Sequence, residues 1–254
     1  MRLPRTHNDM AINQGIPGAD STDQITSALI EEATQLIGAT PQFWGRYFCS
    51  PSNPSPYEYI HLNENGPLSE NKIKLLPIAE QTWRVAGSQQ DGVSDAQGNV
   101  DDLIGTFSAD YLAGIGQEFL MFLDVEGSPP SNPSLSAAYY AGWAKTLSSY
   151  SQQKAAGRFT ILPAVYASRD DNQTWQTLQG NVAPCHAIWI AAYGSNSPEL
   201  PEWNASQTTP QGAQLTCPVL AWQYAGNLGS DQSLDCNVTN PYESGLLERL
   251  IAPP

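Results

Sequence analysis

The chain has 254 residues, 41% of them hydrophobic, so it is long enough to bury a large core. Its formal net charge is −14, from 11 basic and 25 acidic residues, and its Lys and Arg residues form no cluster. A nucleic-acid-binding protein needs such a cluster, and an anionic membrane surface would repel this chain, so we expect neither as a partner. No apolar run reaches the ~20 residues of a membrane span. Residues 1–15 lack the apolar segment of a signal peptide.

The cysteines and histidines do not form a metal-binding motif. The four cysteines, at positions 49, 185, 217 and 236, lack CxxC spacing, and the three histidines are scattered. Glycine-rich nucleotide-binding motifs are also missing, so we expect no metal and no cofactor. Cys185 and Cys217 open two consecutive predicted strands, and adjacent strands would bring them within disulfide range. Four buried free thiols are the alternative.

Short apolar runs alternate with helical patterns over the first two thirds of the chain. Strands are predicted at 16–21, 42–49, 75–83, 118–125 and 158–168. A capping box of Ser21 and Gln24 predicts the start of the first helix, and Gly38 its end. Further helices are predicted over 68–76, 100–111, 135–150 and 171–179, and the polar stretches 50–67 and 87–99 are predicted to be loops.

The pattern changes in the last third of the chain. The segments 185–194, 217–226 and 233–238 read as strands with no clear helix between them. About five β/α units followed by three β-strands predict an α/β fold, a distorted TIM-type barrel. A barrel takes up a chain of this length as one domain, so we expect residues 1–254 to form a single domain with its core over about 15–240. An open doubly wound sheet is the alternative.

Two carboxylates follow the apolar run of the fourth predicted strand, "FLMFLDVEG". Asp124 and Glu126 are two residues apart, so they lie on one face of the strand, which Leu120 and Phe122 share. The carboxyl ends of barrel strands carry the chemistry in this class of fold. At such a position burial and mutual repulsion raise the pKa of at least one carboxyl. The pair could therefore supply the neutral acid and the charged partner of glycoside hydrolysis; two solvated acids are the alternative.

Other polar and aromatic residues are predicted at neighbouring strand ends. Asp20 ends the first strand, and we expect Asp235 at the end of the last strand to join it at the same mouth. Arg46 could clamp a substrate or pair with an acid, and we favour the ion pair. Aromatic rings could stack on sugar faces, although core packing is the alternative for each. The candidate substrate-binding residues are Asp20, Asp235, Arg46, Tyr47, Tyr166, Tyr193, Trp222, Gln223 and Tyr224, with Trp83 as a further aromatic at a strand end.

These segments resemble a known enzyme family. "GAD" at 18–20, "FLDVE" at 122–126, and "LAWQY" at 220–224 followed by Asp235 resemble glycoside hydrolase family 25, the lysozyme-type muramidases. "FWGRYF" at 43–48 and "PLSENK" at 67–72 are closer to the bacterial glycoside-hydrolase-like relatives of that family. The resemblance spans roughly residues 15–240, and the family's barrel has five β/α units and three further strands.

The resemblance implies roles for the acids. Glu126 would be the general acid, and Asp124 its partner, which orients the substrate or stabilises positive charge on the sugar. Asp20 and Asp235 would bind substrate and tune this pair. The implied reaction is hydrolysis of a β-1,4 linkage in peptidoglycan or a related N-acetylated glycan, with retention, inversion and participation of the N-acetyl group all open.

Two other functions fit the sequence. A chitinase-type barrel ends its fourth strand in D-x-D-x-E, but Phe122 occupies the position of the first acid here. A glycosidase-like barrel without activity, binding a cell-wall glycan or a protein partner, is the alternative from another class, since fold does not fix function. For the enzyme we expect a polysaccharide substrate, action outside the cell or at its envelope, and a monomer.

Overall fold

The computed structural model describes residues 13–127 and 132–254, and in these residues eight strands close into a barrel in chain order. The strands are β1 (Pro17–Ser21), β2 (Phe43–Phe48), β3 (Lys74–Ala79), β4 (Glu118–Val125), β5 (Thr160–Ser168), β6 (Ile188–Ala191), β7 (Val219–Leu228) and β8 (Leu234–Thr239). Strands β1 to β7 run parallel, whereas β8 is antiparallel to both β7 and β1. The predicted barrel of five β/α units and three further strands is confirmed, and the open sheet is wrong.

Helices surround the first five strands and almost vanish after β6. They are α1 (Ser27–Ile37), α2 (His61–Glu70), α3 (Gln89–Phe107), α4 (Ala109–Ile115), α5 (Ala137–Lys154), α6 (Asn172–Gln179) and the single turn α7 (Ala205–Thr208), with a 3₁₀ turn at Leu247–Arg249. No helix in the described ranges combines the length and apolar character that a membrane crossing requires.

Alternation along the strands divides the core into two layers. On β4, Leu120 and Phe122 point into the barrel, whereas Met121, Leu123 and Val125 pack under the helices. Leu246 and Leu250, beyond the expected core, also join the interior cluster, and Ile251 forms a bridge with Leu75 of β3. The chain after β8 therefore closes the lower end of the barrel, leaving the upper end open.

The start of the first helix was predicted wrongly. Ser21 belongs to β1, and its hydroxyl donates to the Asp23 carbonyl and accepts from the Trp44 indole. The helix begins after Thr26, whose hydroxyl accepts from the Leu29 amide. Gly38 ends it in the left-handed region at φ 81°, as predicted.

The second helix lies earlier than predicted, in what we expected to be a loop. It spans His61–Glu70, not 68–76. Glu64 turns inward from its first turn, accepts the Ile60 amide at 2.8 Å and pairs with a buried arginine. A tertiary contact therefore fixes this helix where its weak apolar pattern does not.

The predicted loop 87–99 is instead the first half of the longest helix, α3. Ser88 and Asp91 form a reciprocal capping box at its start. The buried face that follows is made of small and polar residues, including Gly92, Asp95 and Asn99, so no apolar period marks it. These residues let α3 lie close against α5, where Gly142 packs on the Gln89 carbonyl.

A methyl group at Gly142 tests this close approach. In Gly142→Ala the new Cβ would collide with the Gln89 backbone oxygen, and overpacking of this kind costs about 1–3 kcal/mol. Gly105→Ala is the matched control, because nothing lies within 4 Å of its Cβ position and Ala favours a helix by about 1 kcal/mol. We expect denaturant unfolding to show destabilisation at 142 and stabilisation at 105; equal effects would contradict close packing of α3 on α5.

Candidate active site

The upper mouth of the barrel gathers the predicted acids. Asp20 lies on β1, Asp124 on β4, and Glu126 one residue beyond β4. Asp235 reaches the mouth from the start of β8, not from the strand's C-terminal end as we expected, because β8 is antiparallel. These four acids line one narrow pit of about 20 Å³ at the centre of the mouth.

Gln223 of β7 joins two of these acids to two tyrosines. Its amide nitrogen donates to Asp20 and to Asp235, each at 3.0 Å. Its amide oxygen accepts from the hydroxyls of Tyr166 and Tyr193, each at 2.6 Å. Both ends of the side chain are thereby satisfied, and Gln223 fixes the positions of all four partners.

A second amide lies beneath Asp20. Asn237 of β8 donates to the Asp20 carboxylate at 2.6 Å and accepts from the Trp189 indole at 2.9 Å. Gly45 of β2 leaves the space this cluster occupies, because a Cβ there would lie 2.8 Å from the Asp20 Cβ. Gln223 of β7 also donates to Asp20, so residues of β2, β7 and β8 together determine where Asp20 lies.

Asp124 and Glu126 differ sharply in exposure. Asp124 is 5% exposed and accepts a hydrogen bond from the Thr82 hydroxyl at 2.9 Å. Glu126 is exposed at the mouth. One carboxyl is therefore held inside the barrel, and the other is presented to a ligand.

Burial sets the protonation of Asp20 and Asp235. Desolvation raises the pKa of Asp20 to about 6, although its bonds from Asn237 and Gln223 oppose the shift. Desolvation and the nearby charge of Asp20 raise the pKa of Asp235 to about 8, against the hydrogen bond from the Asn227 amide. Near neutral pH the facing pair therefore holds one proton, mostly on Asp235.

The acids of β4 are shifted in the same direction. Desolvation, then the charge of Glu126, raises the pKa of Asp124 well above its usual range. Desolvation also raises the pKa of Glu126. Because Asp124 is the more buried carboxyl and also faces the charge of Glu126, it takes up a proton before Glu126 does as the pH falls.

Three of the predicted aromatic residues lie at this mouth. Tyr47, Tyr166 and Tyr193 line the cavities around Glu126, and Tyr193 is 46% exposed. Desolvation raises the pKa of all three phenols, so each hydroxyl stays protonated and able to donate. Tyr166 also packs on Trp189, with ring centroids 4.6 Å apart.

Arg46 is fully buried in an ion pair with Glu64, at 2.7 Å. Its guanidinium also donates to the carbonyls of Ser21 and Thr22, at 2.6 and 3.0 Å. These contacts hold the Arg46 guanidinium below the mouth, where it cannot reach a bound substrate. Its positive charge nevertheless opposes the rise in the pKa of Asp20.

Trp222 and Tyr224 lie outside the site. They alternate with Gln223 along β7 and so point toward the outer layer, where both are at most 5% exposed. The Trp222 indole donates to the Ala192 carbonyl, and the Tyr224 hydroxyl to the Pro198 carbonyl, both at 2.9 Å. Core packing, the alternative given for each aromatic, describes these two.

Sequence reasoning missed Thr82, Glu80, Trp189 and Asn237. Glu80 directly follows β3, and its pKa is raised by desolvation. Its place after an apolar strand is the same signal that marked Asp124, and it could have been recognised. Thr82, Trp189 and Asn237 act through hydrogen bonds to partners distant in sequence, for which no local pattern exists.

Two grooves meet at Glu126. One, of about 470 Å³, is bordered by Tyr166, Arg169 and Tyr193. The other, of about 410 Å³, is bordered by Tyr57, Glu80 and Trp83. Both volumes lie in the range of small-molecule sites, about 300–1,000 Å³. Glu126 thus lies where an extended ligand would cross from one groove into the other.

Cys49, Cys185, Cys217 and Cys236 are free thiols in the structure, but only Cys49 and Cys236 are buried as the second alternative expected, whereas Cys185 and Cys217 are half-buried. The Cys185 and Cys217 thiols hydrogen-bond each other, which raises the pKa of Cys185 and lowers that of Cys217. Within residues 13–127 and 132–254, no group of three or more His, Cys, Asp or Glu is arranged to hold a metal ion.

Comparison with solved structures supports the fold. An uncharacterised protein of B. stearothermophilus is 25% identical over 93% of this chain and 100% of its own, with a TM-score of 0.67. A Tat-secreted protein of Mycobacterium tuberculosis, crystallised with HEPES, is 15% identical over 89% and 96% of the two chains, with a TM-score of 0.50. A muramidase from Acremonium alcalophilum is 18% identical over 92% and 97%, also with a TM-score of 0.50. No family model and no curated protein sequence matches the chain.

Removing the Asp235 carboxyl should change how stability depends on pH. Because its pKa is about 8 in the fold, above the value of 3.8 for a free side chain, its contribution to stability is complete below that lower value and is lost as the pH rises through 8. Asp235→Asn cannot lose this contribution. We therefore expect its Tm, relative to wild type, to increase from pH 4 to pH 9 by at least ~2–4 °C, the shift for about 1 kcal/mol.

The exposed Asp231→Asn provides the control, because that residue lies in the turn outside the acid cluster. A Tm difference for Asp235→Asn that stays constant with pH would contradict the assigned protonation.

Proposed function

We propose that this protein is a glycoside hydrolase that cleaves β-1,4 linkages of peptidoglycan or a related N-acetylated glycan. The observation that carries the proposal is the exposed carboxyl of Glu126, with its raised pKa, above the buried Asp124 at the junction of two grooves. The fold shared with a muramidase adds support. A polymer could lie across both grooves with one of its linkages beside Glu126.

Glu126 would act as the general acid. Its proton passes to the glycosidic oxygen as the bond between that oxygen and the anomeric carbon breaks. A water molecule then supplies the hydroxyl at that carbon, and its remaining proton returns to the acid pair of Asp124 and Glu126. Positive charge develops on the sugar ring in this step. Asp124, two residues earlier on the same strand, would pass its proton to the Glu126 carboxylate that this step leaves and stabilise the positive charge as a carboxylate, or would orient the ring through a hydrogen bond.

Asp20, Asp235 and Gln223 would hold the sugar from the opposite side of the pit. Their hydrogen bonds to one another fix the positions of the oxygens before a ligand arrives. The hydroxyls of Tyr166 and Tyr193 are bonded to Gln223, which leaves their rings as the surfaces that a sugar would contact. A preorganised site of this kind loses little free energy on ordering when substrate binds.

The pKa shift of Glu126 predicts activity at acidic pH. The general acid is active only when protonated, so we expect kcat/KM to rise as the pH falls from neutrality into the range where Glu126 gains its proton. Glu126→Gln should reduce kcat by at least ~100-fold at every pH, because its amide cannot deliver a proton. Purified peptidoglycan and chitin oligomers would be incubated with both proteins, and the products identified by mass spectrometry.

Muropeptides with new reducing ends, from wild type alone, are the expected result. Tyr242→Ala, an exposed substitution beyond the C-terminal end of β8, serves as the matched control and should cleave as wild type does. No cleavage between pH 4 and pH 8, or equal cleavage by Glu126→Gln, would overturn the proposal. Glycan binding without cleavage would favour the inactive glycan-binding barrel.

A further inference from the structure

The groove on the Trp83 side of Glu126 contains features that the reaction itself does not use. Its floor adjoins Asp124 and Glu126, and its walls come from the loop after β2 and the turn after β3. We call it the Trp83 groove and define it by Asn53, Tyr57, Glu80 and Trp83. Because Asp124 and Glu126 also line this groove, a sugar bound in it would lie next to the linkage that is cleaved.

Trp83 is an exposed indole on a rigid support. Its exposed fraction is 66%, in a turn whose neighbouring residues are anchored. Thr82 donates to Asp124 at 2.9 Å, and Arg84 donates to the fully buried Asp95 at 2.7 Å. Because its neighbours are anchored, this large apolar ring presents a flat surface to solvent with little loss of loop entropy on binding.

Glu80 offers an unused polar atom next to this ring. Its main chain is fixed, since its amide donates to the Phe48 carbonyl and its carbonyl accepts from Asn53 at 2.6 Å. Its Oε2 atom is buried and, among the residues that the structure describes, has no hydrogen-bond partner. Buried polar atoms without partners are rare in folded proteins, and one that borders a groove is suited to a donor supplied by a ligand.

The opposite wall supplies a second aromatic ring. Tyr57 is 43% exposed and lies 6.4 Å from Tyr47, measured between ring centroids. The hydrogen bond from Asn53 to Glu80 ties this wall to the Trp83 side. The Trp83 groove therefore combines two exposed rings with one acceptor, the combination that fits a sugar with apolar C–H faces and hydroxyl or amide donors.

We propose that the Trp83 groove is a binding subsite for a sugar ring next to the one beside Glu126, with Trp83 stacking on the ring and Glu80 accepting a hydrogen bond from its hydroxyl or N-acetyl amide. This subsite rests on the proposed function, since it assigns the neighbouring part of the same glycan. Glu80 is a specificity-determining residue and takes no part in proton transfer.

Binding to variants in the Glu126→Gln background tests the subsite without turnover. The probes are the N-acetylglucosamine tetramer and a peptidoglycan tetrasaccharide, titrated by calorimetry. We expect Trp83→Ala to weaken binding roughly tenfold or more, and Trp83→Phe to recover part of the loss. Tyr242→Ala, whose ring is 63% exposed at the far end of the barrel, is the control and should bind normally.

The Glu80→Gln variant shows whether the Glu80 side chain contributes to substrate binding or only to the stability of the fold. In the protein with Glu126 intact we expect KM to rise by about three- to tenfold with kcat unchanged, because one hydrogen bond to substrate is weakened. A loss of Tm without a change in KM would instead assign Glu80 a structural role and overturn its part in the proposal.

The outcomes distinguish the subsite from the reaction. Equal binding by Trp83→Ala and its parent, or no binding of either probe, overturns the subsite even if wild type cleaves peptidoglycan. Weaker binding by Trp83→Ala supports the subsite even if no cleavage occurs, in which case the hydrolase proposal alone fails.

Discussion

The reversal of one strand determines the chemistry available at the mouth of this barrel. Because β8 runs antiparallel, its first residues lie level with the C-terminal end of β1, and Asp235 faces Asp20 across the seam that closes the sheet. Two desolvated carboxyls on paired residues of adjacent strands repel each other when both are ionised, so near neutral pH the pair retains one proton. Gln223 donates to both acids and fixes the tyrosines beside them. The geometry of the mouth is thus a consequence of how the barrel closes.

Burying the acid cluster lowers the free energy of unfolding, and the rest of the structure must offset this loss. Asp20, Asp124 and Asp235 are all shifted toward the protonated form by burial, which means that their ionisation lowers stability as the pH rises. The nearby guanidinium of Arg46 is already bound by Glu64, so it only moderates this repulsion. Buried acids whose nearby cation is already paired with another carboxylate are costly, and sites of that kind are typical of function rather than of structural support.

The sequence was sufficient for the barrel but not for the details of its mouth. Each strand was located to within a few residues, and for most of them the signal was a continuous run of large apolar residues, as expected of strands buried on both faces. Strands β1 (PGADS) and β8 (LDCNVT) contain few such residues. The first half of α3 was missed because its buried face is made of Gly, Ala, Asp and Asn, which carry no apolar period. The prediction that Trp222 and Tyr224 share a site with Gln223 was wrong, because adjacent residues of a strand point to opposite faces of the sheet. Asn237 and Thr82 could not be predicted, since each acts on an acid from another strand.

Asp124 lies within β4, whereas Glu126 is the first residue after it. This difference in position gives the two acids of the D-x-E motif different environments. Within the strand, Asp124 is held by the ladder and by Thr82, so it stays buried and keeps its proton over a wide pH range. Outside the strand, Glu126 retains exposure to both grooves, while partial desolvation raises its pKa. A ligand lying across the grooves would cover Glu126 and displace water from it. That desolvation favours the protonated form further, so binding itself would prepare the acid that the reaction requires.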